Sequence, residues 1–163
     1  MMTSESKDFV GRLKTLCARC DSKQRLSWHD YFASMAILAS ARSPCERLHV
    51  GCVIVRENRV LSMGYNGFFA GAPHTSIMAH GHEQATVHAE VNAISHAART
   101  GVGLVGAVAY VTHYPCVNCF KALVSAGIRH IYYLDDYRND DVNVALSRVS
   151  GVLIEKLTAE PAS

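Results

Sequence analysis

Residues 107–134 read AVAYVTHYPCVNCFKALVSAGIRHIYYL, and the punctuation of this stretch decides the fold class. Ala107 to Thr112 is a short apolar run that predicts a strand. Pro115 then opens a helical stretch to Ala126, Gly127 ends it, and Arg129 to Leu134 predicts the next strand. Strand, helix, strand in close succession is the crossover unit of a parallel sheet. Downstream the unit repeats, with a predicted helix over Val142 to Val149 and a strand over Val152 to Leu157. Upstream, Val50 to Val55 and Val60 to Tyr65 flank Arg56-Glu57-Asn58-Arg59 and read as a hairpin. Ser27 is a candidate N-cap for a first helix carrying Tyr31, Phe32, Met35, Ile37 and Leu38 up to about Ala41. His88 to Arg99 predicts another helix, with Val91, Ile94, Ala97 and Ala98 on one side and Gly101 as its stop. The class is therefore α/β: a largely parallel sheet covered on both faces, in one domain over residues 26–163 behind an extension at residues 1–25.

Composition agrees and narrows the function classes. A chain of 163 residues suits one domain that buries roughly two thirds of its unfolded surface. With 49% hydrophobic and 18% charged residues it lies outside the disordered class, and a net charge of +2 with no basic run leaves no nucleic-acid footprint. No apolar stretch reaches bilayer-spanning length, so no membrane partner is expected. Met1 to Lys14 lacks the apolar centre of a signal peptide, so a cytoplasmic protein is expected, or a nuclear one if its host has a nucleus. In a reducing compartment, six cysteines and nine histidines read as metal ligands and buried small residues, not as disulfides. Cys52, within a predicted strand, reads as core. Cys17 and Cys20 in the extension stay open between helix packing and a metal half-site. Gly67 to Val87 is a long stretch carrying His74, His80 and His82, and a loop of that length inside a domain is usually functional.

The chemistry sits at two predicted helix starts, His88-Ala89-Glu90 and Pro115-Cys116-Val117-Asn118-Cys119. One histidine and two thiolates make a three-ligand zinc site whose fourth corner is left for water, as a catalytic zinc requires. H-x-E followed by P-C-x-x-C is the known signature of zinc nucleobase deaminases. The positive end of a helix dipole favours Cys116 and Cys119 as thiolates. Bound zinc brings the pKa of its water down to about 7, and the hydroxide so formed attacks C4 of cytosine. Glu90, two residues from His88, is then the proton shuttle from water to N3 and on to the departing ammonia.

Over Leu26 to Leu157 the sequence resembles the deoxycytidylate (dCMP) deaminases of the cytidine deaminase-like superfamily. The resemblance is carried by Ser27-Trp28 through Tyr31-Phe32, Arg42-Ser43-Pro44-Cys45 leading into Val50-Gly51, Gly64-Tyr65-Asn66-Gly67, His88 to Ile94, Tyr110-Val111-Thr112, and Pro115 to Cys119. It implies a three-layer α/β/α fold with a five-stranded mixed sheet, hydrolysis of dCMP to dUMP and ammonia, and a homo-oligomer, often a hexamer. Asn66 matches the asparagine that contacts the nucleotide, and Tyr137 falls where the family places a tyrosine near the 5′-phosphate. Arg42 is a further phosphate candidate, because a guanidinium clamps two phosphate oxygens. The resemblance also implies dCTP and dTTP as effectors, with Mg2+, at a regulatory site near Gly64, Tyr65 and Gly67, and a subunit-contact role for Arg99. The sequence departs from the family where Phe68-Phe69-Ala70 replaces a frequent proline. A second, structural zinc is implied at Cys45, His74 and His82. Its fourth ligand stays open among Glu83, which stands where cysteine is common, His80 and His49.

Rival readings remain at this stage. One is a deaminase of dCTP, another cytosine nucleotide or a free nucleoside. Another is a base deaminase of RNA or DNA, which needs more aromatic and basic residues around a channel than Trp28 and the modest charge supply. The third is a non-catalytic zinc-stabilised module, which has no use for Glu90.

Overall fold

The computed structural model describes residues 25–79 and 82–158. The chain divides into two units between Tyr31 and Phe32. In the described end of the first, Ser27 Oγ accepts the Asp30 N–H at 3.0 Å and caps α1 (Trp28–Ser40) as its sequence position predicts.

In the second unit, β1 (Gly51–Arg56) and β2 (Arg59–Tyr65) form the expected hairpin. Its turn places Glu57 and Asn58 at φ of 52° and 58°, the paired left-handed geometry that matches strand twist. The sheet order is β2, β1, β7 (Val108–His113), β8 (His130–Asp135), β9 (Leu153–Lys156). The first three pair antiparallel and the last three parallel, so the five-stranded sheet is mixed. Alternate residues of β1 serve two cores. Cys52 and Ile54 pack with Ala89, Ala93 and Ala97 of α2 (Ala89–Thr100) and with Phe120 and Leu123 of α3 (Val117–Ser125). Val53 and Val55 pack against Phe32 and Ala36 of α1 on the opposite face. With α4 (Asp141–Ser150), whose Leu146 packs against the first core, this is the three-layer architecture.

Two glycines set the spacing of the layers. A Cβ on Gly51 would lie 2.0 Å from the Ala36 carbonyl oxygen, and one on Gly64 2.4 Å from the Ala89 carbonyl oxygen and 2.5 Å from Ala93 N. Backbone cannot yield as a side chain can, so each glycine lets a helix lie directly on its strand.

Residues 67–87 differ from the single long loop expected. Gly67–Phe68 (β3) pairs with Thr86–Val87 (β6), and Met78–Ala79 (β4) pairs with His82–Glu83 (β5), giving two small ladders. Two-residue strands carry no periodicity for sequence reading to detect. No helix among the described residues is long and apolar enough to cross a membrane.

Candidate active site

Both motif helices start one or two residues later than their motifs. α2 begins at Ala89 with His88 as its N-cap (φ −64°, ψ 150°), and α3 begins at Val117 with Cys116 as its N-cap (φ −66°, ψ 162°). Pro115 therefore precedes the cap of α3 and does not sit inside the helix. Neither cap side chain makes a capping hydrogen bond, and the two meet across the site. His88 Nδ1 lies 3.3 Å from Cys119 Sγ and 3.7 Å from Cys116 Sγ. All three ligand atoms fall within 4.8 Å of one another, the only such cluster among the described residues.

The spacing fits zinc. Tetrahedral bonds of about 2.3 Å to sulfur and 2.0–2.1 Å to nitrogen put neighbouring S and N ligands about 3.6 Å apart. Two helix N-termini also converge here, and their dipoles favour negative groups. Hydrogen bonds from Cys119 and then His88 pull the exposed Cys116 thiol down to about 4, while Cys116 and burial push Cys119 up. The His88 imidazole is raised, chiefly by its hydrogen bond with Cys116. A cation bound here would displace the protons these groups carry. Glu90 is 4% exposed on the first turn of α2; burial raises its carboxyl, opposed by backbone hydrogen bonding and then by His88.

The site opens into a cavity of about 430 Å³, within the range of small-molecule sites. Its lining includes His88, Glu90, Cys116, Asn66, His113, Tyr137, Arg47 and Arg138. Asn66 is buried, and its amide orients the chain ahead of β1: Oδ1 accepts Val50 N–H at 2.7 Å, and Nδ2 donates to Leu48 O at 2.7 Å. Tyr137 accepts a hydrogen bond from the Arg47 guanidinium, lies edge-on to His113 at 6.2 Å, and has Arg138 over its ring at 5.8 Å. Arg42, by contrast, sits in the exposed turn after α1 and does not line the cavity. Arg99 is exposed on the last turn of α2, also away from the cavity. Gly64 carries the close contact with α2, Tyr65 O accepts Asn92 Nδ2–H at 2.8 Å, and Gly67 begins β3.

Among the described residues, those considered for a second zinc form no close cluster of three ligands. Cys45 is buried in the cavity wall. His74 stacks on Phe68 at 5.0 Å, and Glu83 Oε1 accepts the N–H groups of Ile77 and Ala85 at 3.2 and 2.7 Å. His49 is exposed. Cys17, Cys20 and His80, and the side chain of His82, lie outside the described residues.

Sequence reading missed Arg47, Arg138, His113 and Tyr114 in the cavity wall. It also missed Asn143, fully buried on α4, whose Nδ2 donates to the Pro115 carbonyl at 2.8 Å and so holds the turn that presents Cys116. A polar residue between Val142 and Val144 on a predicted helix was the one available signal for Asn143.

The family model of the cytidine and deoxycytidylate deaminase zinc-binding region matches residues 26–135, spanning every ligand just described. The chain belongs to this deaminase family. A relative of this deaminase-family chain, the ComE operon protein 2 of Bacillus subtilis (strain 168), is 41% identical over 138 residues, covering 82% of this chain and 73% of that protein. The deoxycytidylate deaminase of Saccharomyces cerevisiae is 36% identical over 149 residues, 84% of this chain but 47% of the yeast protein. Among solved structures, dCMP deaminase from the cyanophage S-TIM5 in complex with dCMP and dUMP superposes with a TM-score of 0.73 at 30% identity, covering 82% of this deaminase-family chain and 99% of the phage chain.

Proposed function

We propose that this chain hydrolyses the exocyclic amine of dCMP, giving dUMP and ammonia. One observation carries the reading: a single cavity is lined by His88 and Cys116 of the ligand cluster and by buried Glu90, and also by Arg47, Tyr137 and Arg138, which suit a 5′-phosphate. The yeast and cyanophage relatives named as dCMP enzymes support that substrate. Zinc held by His88, Cys116 and Cys119 supplies the Lewis acidity that makes water nucleophilic near neutral pH. Glu90 does the proton work. Its carboxylate accepts one proton from the water attacking C4 and delivers it to N3; the second water proton follows to the amino nitrogen, which leaves as ammonia while C4 becomes a carbonyl. Burial, which favours the protonated carboxyl, suits Glu90 to holding the proton between those transfers. Asn66 fixes residues 48–50 and has a second amide N–H for the nucleotide. Arg47 and Arg138 take the phosphate role considered for Arg42.

The finer parts rest on the family resemblance. They are a catalytic domain starting near residue 26, a homo-oligomer with Arg99 at its contacts, dCTP and dTTP effectors with Mg2+ near Gly64 to Gly67, and a second zinc drawing on Cys45, His74, His82 and Glu83; a cytoplasmic location rests instead on the apolar pattern of the sequence. Elemental analysis of untagged protein tests the last of these: two zinc ions per chain, falling to one in Cys45→Ser, would support it, and one ion in both would remove it.

The substrate is tested by following ammonia release from dCMP, dCTP, deoxycytidine and single-stranded DNA. A site built for a phosphate leaves donors unpaired without one, so dCMP should be strongly preferred. Comparable efficiency on deoxycytidine would overturn the nucleotide reading.

A further inference from the structure

We propose that His113 is a specificity-determining residue, fixed by Thr112 as its Nε2–H tautomer so that it donates to the phosphate end of the bound nucleotide. The inference rests on the nucleotide reading above but stands on its own geometry. Thr112 is 4% exposed, and its hydroxyl oxygen accepts the Gly51 N–H at 3.1 Å. The same hydroxyl lies 2.9 Å from His113 Nδ1. Among the described residues His113 Nδ1 is the one acceptor for the hydroxyl proton. A proton on Nδ1 would strand that buried donor, so Nδ1 accepts and the ring proton sits on Nε2. The tautomer thus follows from the hydrogen-bond network.

The ring stands where such a donor has a use. His113 lines the cavity edge-on to Tyr137, the residue that accepts from Arg47 and lies under Arg138. Burial also holds its imidazole below the ordinary value, partly offset by Asp135. A neutral ring among guanidinium groups supplies direction without adding charge. Its Nε2–H selects an oxygen acceptor at a set position, whereas the arginines attract any anion.

The tautomer is read directly from a long-range 1H–15N spectrum of the histidine side chains in the zinc-loaded protein. A proton on Nε2 of His113 is expected; a proton on Nδ1 overturns the proposal. The donor is tested by titrating dUMP and deoxyuridine into wild type, His113→Leu, His113→Gln and His113→Asn and comparing the ratio of the two affinities. A glutamine side chain can place an N–H where Nε2 stands, and asparagine cannot reach it. The preference for dUMP should fall about tenfold or more in the leucine and asparagine variants and stay within about threefold of wild type in the glutamine variant. An unchanged ratio in His113→Leu, or an equal loss in all three variants, would refute the donor role. If His113→Leu does not fold, the asparagine and glutamine pair makes the same comparison. Wild type that shows no preference for dUMP defeats the nucleotide reading itself, an outcome separate from either failure of His113.

Discussion

Glu90 combines near-complete burial with a place two residues after His88, so in the proposed reaction its carboxylate would handle the proton shielded from bulk water. Glu90→Gln preserves shape and removes the base. It should retain zinc by elemental analysis and lose about 100-fold to 10,000-fold in kcat; activity near wild type in metal-replete protein would sink the shuttle. The two thiols should also differ once the metal is stripped. Cys116 is exposed, with its pKa pulled down to about 4, whereas Cys119 is buried and held protonated. Iodoacetamide at neutral pH should label Cys116 far faster than Cys119, read by peptide mass spectrometry, and zinc should protect both. Equal labelling would contradict the arrangement. Residues of this kind are legible in sequence because ligand chemistry imposes short spacings such as H-x-E and C-x-x-C. Arg47 and Tyr137, which meet across 90 residues, and Asn143 and Pro115, across 28, leave no local pattern.

The elements were legible to the extent that periodicity and punctuation fixed them. Glu57-Asn58 turns the hairpin, and Gly101 and Gly151 end their helices at φ of 72° and 68°. What sequence did not show is why Gly64 is glycine. Its role appears only when α2 lies on β2, with the Ala89 carbonyl where a Cβ would be. Gly64→Ala must lift the first turn of α2, and with it His88 and Glu90. A destabilisation of about 1–3 kcal/mol by urea unfolding, accompanied by weaker zinc retention, is expected; wild-type stability and metal content would show that the helix can shift without consequence. Asn143 does the parallel service for α3 through the Pro115 carbonyl. Its Oδ1 and the nearby Tyr114 hydroxyl are buried without a hydrogen-bond partner among the described residues, while Tyr114, raised chiefly by burial, is drawn back by the Asn143 side chain. Asn143→Ala strands the carbonyl and should cost about 1–3 kcal/mol, with faster zinc release to a chelator. Unchanged release would confine Asn143 to stability.

At the scale of the whole second unit, zinc held by the proposed ligands would tie together two helix starts that the sheet brings near each other. His88 precedes α2 and Cys116 precedes α3, with β7 between them in sequence. Both helices press on the core formed by Cys52, Ile54, Ala109 and Val111, so that core resists displacement of either helix without metal. The ligands differ from it in what they oppose. Two helix dipoles point their positive ends at one spot, where His88 is within hydrogen-bonding distance of Cys116 and Cys119 and Glu90 is buried beside them. Metal removal should therefore loosen the N-terminal turns of α2 and α3 first and leave the sheet folded. Binding to the native state at 100 times Kd adds about 2.7 kcal/mol, which for a chain of this size corresponds to roughly 5–10 °C in Tm. Chelator-treated protein should melt lower by about that amount, recover on adding zinc, and show its largest gain in amide exchange over residues 88–92 and 116–120. Cys116→Ser should lower the starting Tm and shrink the response to chelator. A Tm indifferent to chelation in protein shown to hold zinc would mean that the core alone sets the helix ends, and a uniform rise in exchange would mean that the metal supports the whole unit.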